Sequence, residues 1–337
     1  MLSRRYQDDG RPTLRLNALQ LAMKEQVSKK VQEGHYAFES IPCCVCGETD
    51  FEELASKDRY GLTMPVVICR VCGLIQTNPR MSQAAYNEFY SSEYRKLYLG
   101  TEEPGSAYFA KHYRRGQQIF EYAAKHLPGE PSSLSVLEVG CGTGATLRYF
   151  ADLGCRVSGV DLDRQCIEQG REQLGLDLYY GTVADLELDH PADLVICSHV
   201  VEHLLDPPGE IQAISNRLAP NGLIFVGVPG VKKVAKTHLM DFARYLQNAH
   251  TYHFTLTTLT NMMAAAGFVR VCGDERIWSL FQPSQDVGQR GYDNDYGDVM
   301  AYLRLMERWQ RWLPFKDSLR QVARTILRVY PRVVKWI

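Results

Sequence analysis

From Leu134 onward, short aliphatic and β-branched runs alternate with stretches whose apolar positions recur at three- and four-residue steps. The first pattern predicts buried strands and the second amphipathic helices. Strands are expected at Leu134–Val139, Arg156–Val160, Leu178–Tyr180, Asp193–Ser198 and Gly222–Val228, with further strands starting near Phe268 and Arg276. Helices are expected around 145–153, 164–174, 209–218 and 256–266. Strict alternation of the two predicts βαβ units, hence an α/β fold with a doubly wound, mostly parallel sheet.

The rest of the chain has other textures. Leu16, Leu19, Met23, Val27 and Val31 predict an amphipathic helix over 14–32 that packs on the main body. Residues 41–79 hold two cysteine pairs with Pro and Gly punctuation, the pattern of a small metal-stapled unit. Residues 80–130 are rich in Tyr, Glu and Arg, read as helical from Ala107 to His126, and end in the hinge Pro128-Gly129-Glu130-Pro131. The chain therefore divides into 1–40, 41–79, 80–130, a main domain over 131–285, and a tail over 286–337.

In that tail, Met300 to Ile337 carries nine basic residues against two acidic ones, interleaved with Trp309, Trp312 and Trp336. It reads first as a partly docked terminal helix. The sharper reading is an amphipathic helix on an anionic membrane surface, with Arg320, Arg324, Arg328 and Arg332 recurring every four residues and Pro331 interrupting the last turn.

Charge narrows the partners. The chain of 337 residues has a net charge of −1, without the basic excess of a protein that lives on phosphate backbones, so no nucleic-acid partner is expected. No apolar run approaches the ~20 residues of a membrane span, and no apolar stretch follows Arg4 and Arg5 as a signal peptide requires. The expectation is a cytoplasmic protein, peripheral at the inner membrane face if the tail binds lipid. In that compartment spaced cysteine pairs mean metal more often than disulfide.

The chemistry centres on Glu138-Val139-Gly140-Cys141-Gly142-Thr143-Gly144, which follows a predicted strand and opens a predicted helix. Glycines there let the backbone turn sharply and let a ligand approach where a Cβ would clash. The spacing is G-x-G-x-G, not the dinucleotide G-x-G-x-x-G. Glu138 sits two residues before the first glycine, where a carboxylate repels a pyrophosphate but attracts a cationic ligand. Asp161 ends the next predicted strand, 21 residues after Gly140, and suits ribose hydroxyls.

This segment resembles motif I of the class I S-adenosylmethionine (SAM)-dependent methyltransferases. Val160-Asp161-Leu162-Asp163 is similar to their second motif, Asp193 to Leu204 to their fourth-strand segment, and Asn221 to Pro229 to their fifth strand. The resemblance covers about residues 130 to 275 and implies a Rossmann-like SAM-binding sheet. It implies that Glu138, Gly140, Cys141, Gly142 and Gly144 line the methionine and ribose end. Asp161 and Leu162 would hold the ribose side, Asp185 would flank the adenine, and Ser198 would be a further cofactor-binding residue.

Cys43-x-x-Cys46-Gly47 and Cys69-x-x-Cys72-Gly73, separated by 22 residues, can supply the four thiolates of a tetrahedral structural zinc. Cys44 breaks the two-residue spacing and is expected to be a bystander. A zinc module directly before a SAM-binding core resembles the zinc-containing methyltransferases of sugar and natural-product pathways, including deoxysugar C-methyltransferases. Phe89 to Tyr94 lies where those proteins carry a Tyr/Ser-rich cap.

Methyl transfer needs near-attack geometry, and a base only where the acceptor must lose a proton. Two segments offer one. Ser198 to His203 follows the fourth strand, with His199 and Glu202 as candidates. The 27 residues from Pro229 to Thr255 are long enough for a lid and contain His250. By resemblance His250 stands at the general-base histidine of the sugar C-methyltransferases. Those proteins carry a Glu before it where this chain has Ala249, and a further C-terminal domain for which this chain has no room. The expected reaction is therefore O-methylation of a hydroxylated small molecule, a sugar or glycan precursor. C-methylation of a nucleotide-linked keto-sugar is the alternative, and a non-catalytic zinc and SAM-fold adaptor a third.

Overall fold

The computed structural model describes residues 1–101, 106–284 and 291–310. The N-terminal part carries strands β1 (Phe38–Glu39), β2 (Phe51–Lys57), β3 (Thr63–Cys69), β4 (Ile75–Thr77) and β5 (Arg80–Met81). Its helices are α1 (Ala18–Gln32), α2 (Gln83–Phe89), α3 (Arg95–Leu99) and α4 (Ser106–Ala123). The main domain follows with β6 (Ser135–Val139), α5 (Ala145–Asp152), β7 (Arg156–Asp161), α6 (Arg164–Leu174), β8 (Leu178–Tyr180), β9 (Ala192–Ser198), α7 (Pro207–Ser215) and β10 (Leu218–Gly227). Next come the short α8 (Val234–Thr237) and α9 (Phe242–Tyr245), β11 (Tyr252–His253), α10 (Leu256–Ala265), β12 (Phe268–Gly273) and β13 (Trp278–Pro283). Residues 296–310 form a last helix, α11.

The main sheet has seven strands in the order β12-β13-β10-β9-β6-β7-β8. β8, β7, β6, β9 and β10 run parallel, while β13 and β12 return antiparallel. The parallel strands are near-continuous apolar runs because helices cover both faces, as in β6, where four of five residues are buried. Local chemistry sets the helix ends. The Asp163 carboxylate accepts from Cys166 N at the start of α6, and Thr255 and Thr258 form a capping box on α10.

After β6 the chain runs to β7 on one side, and after β9 to β10 on the other. The cleft between β6 and β9 is thus the topological switch point, where open α/β sheets bind ligands. Register pairs Val139 with Cys197 and with Val160, which brings Gly140, Asp161 and Ser198 to one carboxyl edge.

The cysteine-bearing residues do not form a separate sheet. Antiparallel β2, β3 and β4 take their fourth strand, β11, from the segment after β10. One core joins Tyr6, Leu54, Val66 and Ile68 to Val231, Phe242 and Leu246 and to Val299, Leu303 and Met306 of α11. Arg5 pairs with Asp241 and Glu307, and the Tyr6 hydroxyl donates to Glu307. The beginning and end of the described chain thus clamp the Pro229–Thr255 segment. The first turns of the basic tail are docked. Arg320, Arg324, Arg328, Trp312 and Trp336, on which the membrane reading rested, lie outside the described residues. No helix among the described residues is long and apolar enough to cross a membrane.

Candidate active site

The glycine loop between β6 and α5 folds as its composition requires. Gly140, Gly142 and Gly144 have φ of 71°, 53° and 76°, the left-handed region that favours glycine. A Cβ at Gly140 would meet Val200 Cγ2 at 2.6 Å, whereas nothing lies within 4 Å of one at Gly142, so that side of the loop is open. Asp161 holds the loop from the next strand, accepting from Gly142 N at 2.7 Å and from Asp163 N at 2.8 Å. Leu162 beside it is largely exposed, an apolar surface at the mouth of the cleft. The Cys141 thiol turns into the core, packed near Gly159, so only its backbone belongs to the loop.

Glu138 lies on the central strand, 4% exposed. Burial pushes its carboxyl up to about 8, against a hydrogen bond from Thr146 that acts the other way. Its Oε2 is buried and has no hydrogen-bond partner. An unpartnered buried carboxylate is expensive. The ammonium of an amino-acid ligand would complete it, so the residues present fit the methionine end of SAM.

Helix α4 supplies a wall that the sequence did not announce as functional. Gly116 brings α4 hard against α5, since a Cβ there would meet Thr146 O at 2.4 Å. That approach carries Arg115 over the carboxyl edge, where Nη1 donates to Ser198 Oγ at 2.9 Å. One and two turns earlier, His112 and Tyr108 face the same cleft. His112 is pushed down to about 4 by burial and then by Arg115, and Tyr108 up to about 12 by burial. The only signal was the spacing of 108, 112 and 115, one helical face of hydrogen-bonding residues. Across the cleft Arg95 pairs with Asp163. Asp185 is exposed and accepts from Thr182 Oγ1 at 2.6 Å, so it caps its own turn.

Beyond Ser198 the backbone strains. His199 has φ of 58°, and its Nδ1 lies 3.1 Å from Glu202 Oε1, to which it donates. A left-handed non-glycine residue is uncommon and clusters at functional sites. Glu202 is 1% exposed, with Oε2 unpartnered. His203 Nδ1 is 2.9 Å from Ala249 O. His250 is buried, its ring centroid 4.8 Å from that of His203. Burial, then the neighbouring imidazoles, drive its pKa well below the usual imidazole range.

The edge of the cysteine-bearing sheet delivers His250 there. Thr77 of β4 donates its hydroxyl to His250 O at 3.0 Å and its N–H to Thr251 O at 2.9 Å, while Thr251 N donates to Glu202 O at 2.8 Å. Residues Tyr90–Tyr94 form a π-helical turn. The rings of Tyr90 and Tyr94 stack at 4.3 Å and stand edge-on to His203 at 5.8 and 5.9 Å. Glu93, fully buried, fixes that turn by accepting from Lys30, Tyr36 and Gln26.

The cysteines gather as their spacing requires. The sulfurs of Cys43, Cys46, Cys69 and Cys72 all lie within 4.8 Å of one another, with Cys43 to Cys72 at 3.4 Å and Cys46 to Cys69 at 3.5 Å. Tetrahedral thiolates about 2.3 Å from a zinc ion stand at such separations. Gly47 and Gly73, at φ of 75° and 82°, turn each knuckle so that their N–H groups donate to Cys43 O and Cys69 O. Cys44 stands outside the cluster. A separate cavity of about 380 Å³ between α4, α5 and the end of α6, lined by Phe109, Tyr113, Arg148 and Asp152, touches none of these groups.

Residues 109–272 match the family model described as a methyltransferase domain. A ubiquinone biosynthesis O-methyltransferase from Thiobacillus denitrificans is 32% identical over 191 residues, 50% of this chain and 78% of that protein. Its counterpart from Haemophilus ducreyi is 32% identical over 116 residues, 31% of this chain and 48% of the relative. In most such matches the chain spans about half the length of the curated relatives. Among solved structures, a SAM-bound amino pentose methyltransferase from Micromonospora echinaspora aligns with 18% identity and a TM-score of 0.41, covering 57% of this chain and 96% of that one. With the loop geometry and the sheet order, the methyltransferase-domain match and the 32% identical Thiobacillus denitrificans relative establish that the chain belongs to the SAM-dependent methyltransferases.

Proposed function

We infer that the protein transfers a methyl group from SAM to a hydroxyl oxygen of a small molecule. The observation that carries this reading is the buried, half-unpartnered Glu138 beside the glycine loop, with Asp161 at the end of the neighbouring strand. When bound, SAM supplies the electrophilic methyl. Glu138 would hold its ammonium, and Asp161, which holds the glycine loop, would take the ribose hydroxyls. Arg115 lies beside Ser198, where a guanidinium can pair with the methionine carboxylate. Leu162 would offer the cofactor an apolar contact on the ribose side, and Asp185 would serve through the turn it caps.

The acceptor enters between the Tyr90–Tyr94 stack and the Ser198–His203 turn. His199 is the base, half-exposed and held by Glu202, which orients the imidazole. His250, buried and hard to protonate, shapes the pocket from the lid. Relatives named as O-methyltransferases support oxygen as the acceptor atom. A sugar or glycan precursor remains the reading of the acceptor class, supported by the zinc-type cysteine set in front of the domain and the aromatic stack at the cleft. Cys43, Cys46, Cys69 and Cys72 hold a structural zinc, whose closed ligand set leaves no position for substrate.

The deciding experiment is calorimetry of SAM and S-adenosylhomocysteine on the full chain, followed by mass spectrometry of metabolites that lose a methyl group in a deletion strain. A loss confined to a carbon-bound methyl transfers the reading to C-methylation. A protein that binds neither nucleoside is not the proposed enzyme.

A further inference from the structure

Beside the candidate base, Glu202 and His250 each keep a buried polar atom without a partner, and His203 stands with them. One ligand atom each from Glu202, His203 and His250 lie within 4.8 Å of one another. Glu202 is 1% and His250 7% exposed, and Glu202 Oε2 and His250 Nδ1 have no hydrogen-bond partner. His203 keeps its Nδ1 on a backbone carbonyl, Ala249 O, which fixes the ring and leaves Nε2 to present its lone pair. That is how metal-binding histidines are oriented. Two buried polar atoms without a protein partner, Glu202 Oε2 and His250 Nδ1, with the His203 imidazole beside them, come from two segments the tertiary fold brings together and call for a ligand of positive charge.

We propose that Glu202, His203 and His250 form a cation site, distinct from the four-cysteine cluster, that takes one divalent transition-metal ion. Two imidazoles and one carboxylate suit zinc, manganese or iron, and three protein ligands leave positions open, as in catalytic sites. Donors bound about 2.1 Å from an ion stand roughly 3–3.5 Å apart, so the lid segment carrying His250 closes slightly on Glu202 and His203 when the ion enters. The rings of Tyr90 and Tyr94 stand edge-on to His203, so an acceptor passing them would reach the ion's open positions. A hydroxyl placed on the ion would lose its proton more readily, with His199 adjacent to receive it. This role rests on the methyl-transfer reading, whereas the binding of the ion does not.

The test is a titration of the full chain with Mn²⁺, followed by the paramagnetic resonance of free Mn²⁺. Thiolates that hold zinc do not compete for this hard ion. Wild type is expected to bind about one Mn²⁺ per chain. Since outer partners of a metal site are worth about 10–100-fold in affinity, loss of a ligand in Glu202→Gln or His250→Ala should weaken binding at least tenfold. His190→Gln, on an exposed residue elsewhere, should bind as wild type does. Should a variant fail to fold, Co²⁺ added to wild type decides alone, because two imidazoles and a carboxylate give visible d–d bands without a thiolate charge-transfer band. No Mn²⁺ uptake, equal uptake by the ligand variants, or cobalt spectra showing thiolate charge transfer only would each overturn the site. S-adenosylhomocysteine binding measured on the same samples separates the two readings: if it persists without Mn²⁺ uptake, only the cation site falls, and if wild type lacks it while Mn²⁺ binds, only the methyltransferase reading falls.

Discussion

Replacing Glu138 with Gln removes one charge from the centre of the sheet and little else. The carboxyl of the ligand-free protein titrates at about 8, raised chiefly by burial. A cationic ligand favours the ionised form. A charge-assisted hydrogen bond to the ammonium contributes about 1.5–3 kcal/mol, or roughly 10- to 150-fold in affinity. Linkage then lowers the carboxyl in the complex by the same amount, about 1–2 units. Wild type should therefore out-bind Glu138→Gln by roughly 10- to 100-fold at pH 8.5. The advantage should shrink by up to about tenfold per unit as pH falls below 8 and approach one near pH 5.5. Taking the ratio at each pH cancels titration of the ligand's own amine. The sign for stability is opposite. A carboxyl raised on folding binds its proton more tightly in the native state, so its contribution is lost as pH rises from the unfolded value through about 8. Ligand-free Glu138→Gln should accordingly melt higher than wild type at pH 8, a trade of stability for binding. The assay is calorimetry of S-adenosylhomocysteine from pH 5.5 to 8.5, with thermal melts of the same samples. A ratio independent of pH, or a mutant that binds as well as wild type at pH 8.5, would refute the pairing.

Other substitutions test the remaining parts. Asp161→Ala should weaken SAM and S-adenosylhomocysteine by roughly 1.5–3 kcal/mol, the value of hydrogen bonds to a charged group, and unchanged calorimetric affinity removes Asp161 from the site. Elemental analysis should find about one tightly held zinc per chain, absent from Ser variants of Cys43, Cys46, Cys69 or Cys72 but present in Cys44→Ser, and metal-free wild type would end the zinc reading. Those ligand variants should lose thermal stability, because a structural zinc supplies folding free energy. His199→Gln should reduce turnover by ~10²–10⁴-fold, the usual contribution of a positioned base, with nucleoside affinity retained; a variant with near-normal turnover moves the base elsewhere.

The sequence by itself determined the main domain, because its chemistry is local. Alternating buried runs and amphipathic stretches specify βαβ units, and Gly140, Gly142 and Gly144 between a strand and a helix specify a tight left-handed loop. The C-x-x-C-G knuckles carry their own turn geometry, so the four sulfurs could be grouped before any fold was known. Even the short capping role of Asp185 lies within three residues. What the tertiary structure alone decided is where distant segments meet. Gly116 reads as a flaw in a helix until α5 packs against it and carries Arg115 to Ser198. The cysteine spacing over 41–79 carried no sign of β11, which the segment after β10 contributes. That pairing, with Thr77 and Thr251 bridging to Glu202, sets His250 beside His203, whose Nδ1 lies against Ala249 O from 46 positions away. Protonation is decided at the same level. A histidine's letter carries a pKa near 6.5, but only burial against two other imidazoles drives His250 far below it. Spacing along a chain fixes what one helix or turn can do, whereas desolvation and contact between remote segments depend on the packed whole.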